Sequence, residues 1–407
     1  MSNRTVLAYG ALGLPLAFAA LPIYVHVPRY YAETTGMELA LLGAILLGAR
    51  LLDAFIDPWL GWLADRLPRR RMLAASLLPF ALGFVTLLNP PSDFAAPWLL
   101  ATLALTYLGF SAASVSYQAW GAAAGGDSAL RTRLVASREG FGLIGVVLAA
   151  VLPGALASDL SIGIERLSWI LPPLLLIAAA ATFSQAGADA SLPLSSEPLR
   201  ASLRRTLSQV AFRRLLGVFI ANGIAAALPA TLFLFFVADV LGAASASGPL
   251  LALYFVAGAA SLPLWVKLAG RLGRVRAWGL AMGLAMGAFA GAGLLASGDI
   301  AAFTLICLMS GLALGADLAL PAAIAADLGQ RQGLAGACFG VWNLVAKLNL
   351  ALAAGLALPL LDLLGYQPGG ESGLGALTFA YALLPLGFKL LAATLLWRWR
   401  DSLEIRS

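Results

Sequence analysis

Long apolar runs dominate this chain, and short basic segments punctuate them. A run of about 20 apolar residues crosses a ~30 Å hydrocarbon layer as a helix. The pattern predicts spans at 5–31, 37–64, 72–90, 95–124, 134–157, 167–185, 211–240, 247–270, 277–297, 300–326, 334–362 and 374–398. The period-two alternation of a membrane β-barrel is absent. Twelve spans put both termini on one side. The same count gathers Arg4, Arg66, Arg69, Arg70, Arg71, Arg131, Arg133, Arg200, Arg204, Arg205, Arg213, Arg214, Arg271, Arg274, Arg276, Arg331, Arg398, Arg400 and Arg406 on that side. The opposite loops hold only Arg29 and Arg166. By the positive-inside rule both termini are expected in the cytoplasm.

Composition agrees with this reading. Of 407 residues, 61% are hydrophobic and 11% charged, against about 25% charged in a soluble protein. The expected class is an all-α, multi-pass membrane protein whose constant partner is the lipid bilayer. The net charge of +6 follows from the basic loops and does not indicate nucleic-acid binding. The first apolar run is too long for a cleaved signal and continues into YVHVPRYY, so it is expected to remain as a span. With no other address, the expected location is the cytoplasmic (inner) membrane, and the expected state is a monomer.

Residues 186–210 form the longest polar stretch and divide the spans six and six. This predicts an N-terminal bundle over 1–185, a cytosolic linker over 186–210 and a C-terminal bundle over 211–407. From Glu197 onward the linker reads as a short amphipathic helix at the membrane surface, with Leu199, Leu203 and Leu207 on one face. The halves repeat. ADRLPRRR at 64–71 corresponds to AGRLGRVR at 269–276, and Asp127 and Asp327 each follow the fourth span of a half. A duplicated six-span half is what a rocking transporter requires, with its site at the repeat interface.

Charges inside the spans carry the chemistry. Asp53 and Asp57 lie one helical turn apart, with Arg50 three residues before the first. Each ionised group costs a few kcal/mol or more at bilayer depth, and two adjacent carboxylates resist joint ionisation unless a cation joins them. That arrangement suits reversible capture of H⁺ or of a metal ion such as Na⁺, and outweighs a static ion-pair cluster. Lys347 has its span running well past it on both sides and is read as a cavity residue. Asp317 either forms a third cavity carboxylate or pairs with Lys347, or else makes a helix-packing pair. Arg138 and Glu139 form a gate or loop-anchoring pair, and Asp65 and Arg66 brace the basic loop to neighbouring helix ends. Ser116, Tyr117, Gln118 and Trp120 in SYQAW, with Trp342 and Asn343, supply rings and hydrogen-bonding groups suited to a small organic ligand. Pro15, Pro22 and Pro28 predict a kinked first span, and His26 near its outer end reads as an interfacial residue. Cys307 and Cys338 have no ligand spacing and read as buried apolar residues. There is no nucleotide-binding phosphate loop, and a single His with two distant Cys builds no catalytic motif, so no enzyme and no cofactor is expected.

GWLADRLPRRR at 61–71 resembles the loop signature of the major facilitator superfamily. ARLLDAFIDPWLGW at 49–62 resembles the second helix of the glycoside–pentoside–hexuronide:cation symporters, typified by the bacterial melibiose permease. Tyr9–Gly10, the run Arg131–Gly142, ALPAAIAAD at 319–327 and FGVWNLVAKL at 339–348 match in order. The resemblance implies a major facilitator fold of two pseudo-symmetric six-helix bundles. It implies that Asp53 and Asp57 are the cation site, that Arg50 and Lys347 couple it to substrate, and that Arg138 lies near the cytoplasmic gate. The expected function is symport of a glycoside-like solute with H⁺ or Na⁺ by alternating access. The alternatives are symport of an amphiphile such as a lysolipid, or a non-transporting scaffold. The family's sugar-binding acids are Ala17 and Ser116 here, and two neutral cation neighbours are Ile56 and Ala113. These departures favour H⁺ over Na⁺.

Overall fold

The computed structural model describes residues 2–91, 93–124, 127–185, 195–367, 369–370 and 372–404. Among these there is no strand. In lipid no water satisfies an open peptide group, so an apolar chain closes its hydrogen bonds locally as helix. The order is α1 (Asn3–Gly10), α2 (Gly13–Leu21), α3 (Val27–Thr35), α4 (Leu39–Arg66), α5 (Arg69–Leu87), α6 (Ala95–Ala123), α7 (Ser128–Leu156), α8 (Leu160–Ser168) and α9 (Leu171–Gln185). After the linker helix α10 (Leu199–Ser208) come α11 (Val210–Phe235), α12 (Ser247–Leu272), α13 (Arg274–Ala292), α14 (Ile300–Arg331), α15 (Ala335–Leu363), α16 (Leu374–Thr378), α17 (Leu384–Arg398) and α18 (Arg400–Leu403).

Eleven helical stretches of the described chain are long and apolar enough to cross a membrane. The twelfth is α4. Its 28 residues span about 42 Å at 1.5 Å per residue, and Arg50, Asp53 and Asp57 in its middle set it apart from the others. The first span is broken, as its prolines predict: α1 and α2 meet at Ala11–Leu12, and π-helical turns run over Pro22–His26 before α3. Two further π turns follow: Phe236–Val240 closes the seventh span, and Phe379–Leu383 interrupts the last one. The sixth span starts earlier than its apolar run suggests. Asp159 accepts from the backbone N–H of Ser161 at 2.7 Å and so caps α8.

Contacts divide the chain into two compact units. The first comprises Met1–Thr206 with Ala325–Leu344, and the second Leu207–Ile324 with Val345–Ser407. Residues 325–344, the end of α14 and the start of α15, therefore pack with the N-terminal helices. The reason is close backbone approach: a Cβ on Gly340 would lie 2.9 Å from the Cα of Pro58, and one on Gly61 the same distance from the Cα of Gly340. Small residues allow helices in lipid to meet at this range. The first unit's core includes Phe18, Tyr31, Phe80, Phe84 and Tyr117, all fully enclosed. In the second, Phe236 stacks on Tyr381 with centroids 4.1 Å apart, and Trp265 donates to the Leu312 carbonyl at 2.6 Å, tying α12 to α14.

The repeat expected from the sequence is visible within each unit. α5 and α13 are both 19 residues long and both open on a buried arginine, Arg69 and Arg274. The linker expected over 186–210 is seen from residue 195 onward; 186–194, like Arg406, lie outside the described residues.

Candidate functional site

The acids of α4 are buried. Asp53 is 4% exposed and Asp57 is not exposed at all. Their spacing follows from an uninterrupted helix, with Pro58 accommodated directly after the second acid. Ser111 of α6, itself buried, donates its hydroxyl to Asp53 Oδ1 at 2.6 Å. Arg50, half-buried, places its guanidinium 4.4 Å from the ring centroid of Tyr24 on the π turn of the first span. A hydroxyl that donates to a carboxylate keeps its lone pairs available, so Asp53, Asp57 and Ser111 present oxygens that suit H⁺ or an alkali cation. Ser111 and Tyr24 escaped the sequence reading. Nothing distinguishes Ser111 from Ser114 or Ser116 in FSAASVSYQAW; only the packing of α6 on α4 does.

At the basic end of α4 lies a third carboxylate. Asp65 is 2% exposed. Its two oxygens accept from the backbone N–H groups of Gly336 at 2.7 Å and Ala337 at 2.8 Å, in the first turn of α15. Arg69 adds a contact at 3.3 Å. A carboxylate at a helix N-terminus takes up donors that would otherwise have no partner. Arg66 instead lies over the Trp62 ring at 4.7 Å. Asp327 near the end of α14 pairs with Arg131 and accepts from Ser128, both at the start of α7. Arg138 and Glu139 form a direct ion pair in α7. Asp65 thus ties the end of α4 to the start of α15 and to Arg69, whereas Arg66 is held by an aromatic face.

The side chains of the SYQAW segment have different surroundings. Ser116 is fully buried and turns its hydroxyl back to the Ala112 carbonyl. Tyr117 and Tyr9 clasp each other: each hydroxyl donates to the other's carbonyl, and the rings lie 4.6 Å apart. Trp120, 3% exposed, packs against Tyr9 and Phe183. Tyr9, Tyr117 and Trp120 thus tie α1, α6 and α9 together. Gln118 differs, because its carboxamide oxygen is buried without a hydrogen-bond donor among the described residues. Trp342 is buried and Asn343 half-buried on α15.

In the second unit, Asp317 of α14 does not pair with Lys347. It forms an ion pair with Lys389 of α17 at 2.5 Å and accepts from the Trp278 indole of α13 at 2.8 Å. Lys389 is 5% exposed. The sequence reading missed it, although a lysine inside the apolar run GFKLLAATLLW is itself a signal. Lys347 is half-buried on α15.

Membrane-crossing helices with buried acids in their middle define a polytopic membrane protein, and solved structures agree on the fold. A bacterial homologue of the iron transporter ferroportin superposes with a TM-score of 0.74 at 16% identity, covering 98% of this chain and 100% of that one. The human organic anion transporter MFSD10 gives 0.71 at 18% identity, with 97% and 100% covered. The major facilitator superfamily transporter FucP gives 0.66 at 16% identity, with 96% and 99% covered. These similarities establish the major facilitator fold. Residues 6–400 match the family described as MFS/sugar transport protein. The chain belongs to that family, the melibiose-permease-like glycoside–pentoside–hexuronide:cation group.

Proposed function

We propose that the protein is a secondary active transporter that couples entry of H⁺ or Na⁺ at Asp53 and Asp57 to symport of a small polar organic solute. The observation that carries this reading is the pair of buried acids one turn apart in α4, with the Ser111 hydroxyl on the first. Two carboxylates held this way have little to offer a static bundle, where apolar side chains of similar volume serve as well or better. The family's description as sugar transport protein supports a glycoside-like solute. The loss of the sugar-binding acids, with Ala17 and Ser116 in their places, leaves the amphiphile as the outcome to be tested beside it.

In this mechanism the cation relieves repulsion between Asp53 and Asp57 and releases Arg50, three residues before Asp53, from their field. Substrate then binds, and only the doubly loaded or the empty protein changes its accessible side. The two sites share a coupling free energy of about 1–3 kcal/mol. Ser111 replaces one of the neutral groups lost at Ile56 and Ala113, which brings Na⁺ back level with H⁺. The basic end of the helices faces the cytoplasm of a cell whose inner membrane holds the protein.

The test is uptake into vesicles of sugars, organic acids and lysolipids, with pH and Na⁺ gradients imposed separately. Accumulation driven by one gradient and lost in Asp57→Asn supports the reading. Equal uptake with and without gradients in the unaltered protein overturns it.

A further inference from the structure

The linker helix is held to the first unit by an unusual face. Its buried positions are Ser202, 1% exposed, and Thr206, fully enclosed, not the leucines. At 100° per residue, Leu199, Leu203 and Leu207 follow as a stripe beside that face, and Arg200 and Arg204 lie opposite it. Leu199 and Leu203 are half-buried; Leu207, Arg200 and Arg204 are exposed. The helix is also pinned at its start. The Ser195 N–H donates to the Asp65 carbonyl at 2.9 Å. The Trp62 indole donates to the Glu197 carbonyl at 2.8 Å. Arg205 bridges Glu197 at 2.5 Å and reaches the Gln332 carbonyl at 3.4 Å.

Trp62 and Asp65 belong to the last turns of α4, where the membrane-crossing helix meets water. Segment 195–206 therefore lies at a bilayer surface by construction, whichever side that is. Arg205 is used within the protein. Arg200 and Arg204 make no ion pair or hydrogen bond among the described residues, and they project from the face opposite the protein-packed one. Arg66 and Arg70, on Trp62 and Phe183 respectively, lie along the same end of the unit. A short amphipathic helix with a leucine stripe beside two outward arginines matches one partner, the anionic headgroup layer of the surrounding membrane.

We infer that Arg200 and Arg204 of α10 bind anionic phospholipid headgroups. The lipid contact holds the segment Ser195–Ser208 down over the cradle formed by Asp65 and the first turn of α15. The chemistry is charge-assisted hydrogen bonding between guanidinium groups and phosphate oxygens, with Leu203 and Leu207 entering the acyl boundary. The two arginines are a lipid sensor placed on the strap that covers the end of α4.

The experiment uses the full chain in nanodiscs of phosphatidylcholine alone, or with one-third phosphatidylglycerol, and follows amide hydrogen exchange of peptides covering 195–208. Exchange in the unaltered protein is expected to slow in the anionic discs, by roughly fivefold per arginine engaged, and the difference should shrink at high salt. Arg200→Gln with Arg204→Gln should abolish the difference while exchange in α4 to α6 stays unchanged, and Arg200→Lys with Arg204→Lys should keep most of it. Inorganic phosphate and glycerol phosphate added to neutral discs should not reproduce the slowing. Equal exchange in both lipids, an undiminished difference in the Gln pair, or full protection by free phosphate would each overturn the assignment to a membrane surface.

Discussion

Each unit buries carboxylate charge at the depth of a membrane-spanning helix, but they balance it differently. In the second unit one acid meets one base: Asp317 has Lys389 beside it and the Trp278 indole on its other oxygen. The pair is complete within three helices and has no use for a further ion. In the first unit two acids share one turn of a single helix, so the segment from Arg50 to Asp57 carries an excess of one negative charge. Its named neutral partner, Ser111, orients Asp53 without cancelling that charge. Burial alone therefore does not mark a coupling site. What differs is the arrangement: two acids on one helical turn resist joint ionisation in a way that one acid beside one base does not.

Neutralising the first unit's acids is expected to have the largest effect on function and little on folding. Asp57→Asn and Asp53→Asn should each remove gradient-driven accumulation by a factor of ten or more, at the scale of one lost coupling interaction, with unfolding temperature preserved. Vesicle uptake and a thermal melt of the same preparation decide it. A mutant that concentrates substrate normally would remove that residue from the cation site.

The second unit should respond in the reverse way. Asp317→Asn or Lys389→Met alone strands a buried charge and should cost about 3–5 kcal/mol of stability, whereas the double replacement should recover most of it. If both singles melt like the unaltered protein, the pair is not ionised as a unit and the comparison fails.

The repeated loops allow a smaller contrast. Asp65 is fixed by two backbone donors and Arg69, while its counterpart in the second half is Gly270, and Arg274 turns instead to the Ala323 carbonyl at 3.0 Å. Asp65→Asn loses an acceptor for one buried N–H and should destabilise by about 1–3 kcal/mol. Gly270→Asp has open space around the new Cβ and sets an acid four residues before Arg274. It should stabilise by about 0.5 kcal/mol. Destabilisation by the second change would show that the loops are not equivalent in geometry.

Much of this was legible in the residues. Apolar run length gives the spans because lipid forces helix upon them, and the i, i+4 spacing of Asp53 and Asp57 survives folding because both lie on one unbroken helix. The kinked first span follows from its prolines. Partners across helices were not legible. Ser111, Trp278 and Lys389 become neighbours of acids only through packing, and SYQAW reads equally well as a ligand face or as the clasp it forms with Tyr9. Span limits failed where a cap such as Asp159 starts a helix before its apolar run. The grouping of residues 325–344 with the N-terminal helices depends on glycines that touch backbone, which carry no hydropathy signal at all.

The π turns at Pro22–His26 and Phe236–Val240 have a consequence for how the chain tolerates change. The first interrupts the first span of the N-terminal half, and the second closes the first span of the C-terminal half. Each behaves as one residue more than an α-helical path requires, and that surplus rotates the following side chains by about 100° relative to a straight helix. Deleting one residue inside Pro22–His26 lets that segment rewind as α-helix without breaking it, but turns α3 to present a different face. Such a deletion should yield a protein that inserts and folds yet is altered in what its outer half touches. The same deletion a few residues away would shift the register of a whole continuous helix. The π turn at Pro22–His26 is thus the place where the length of the first span is adjustable.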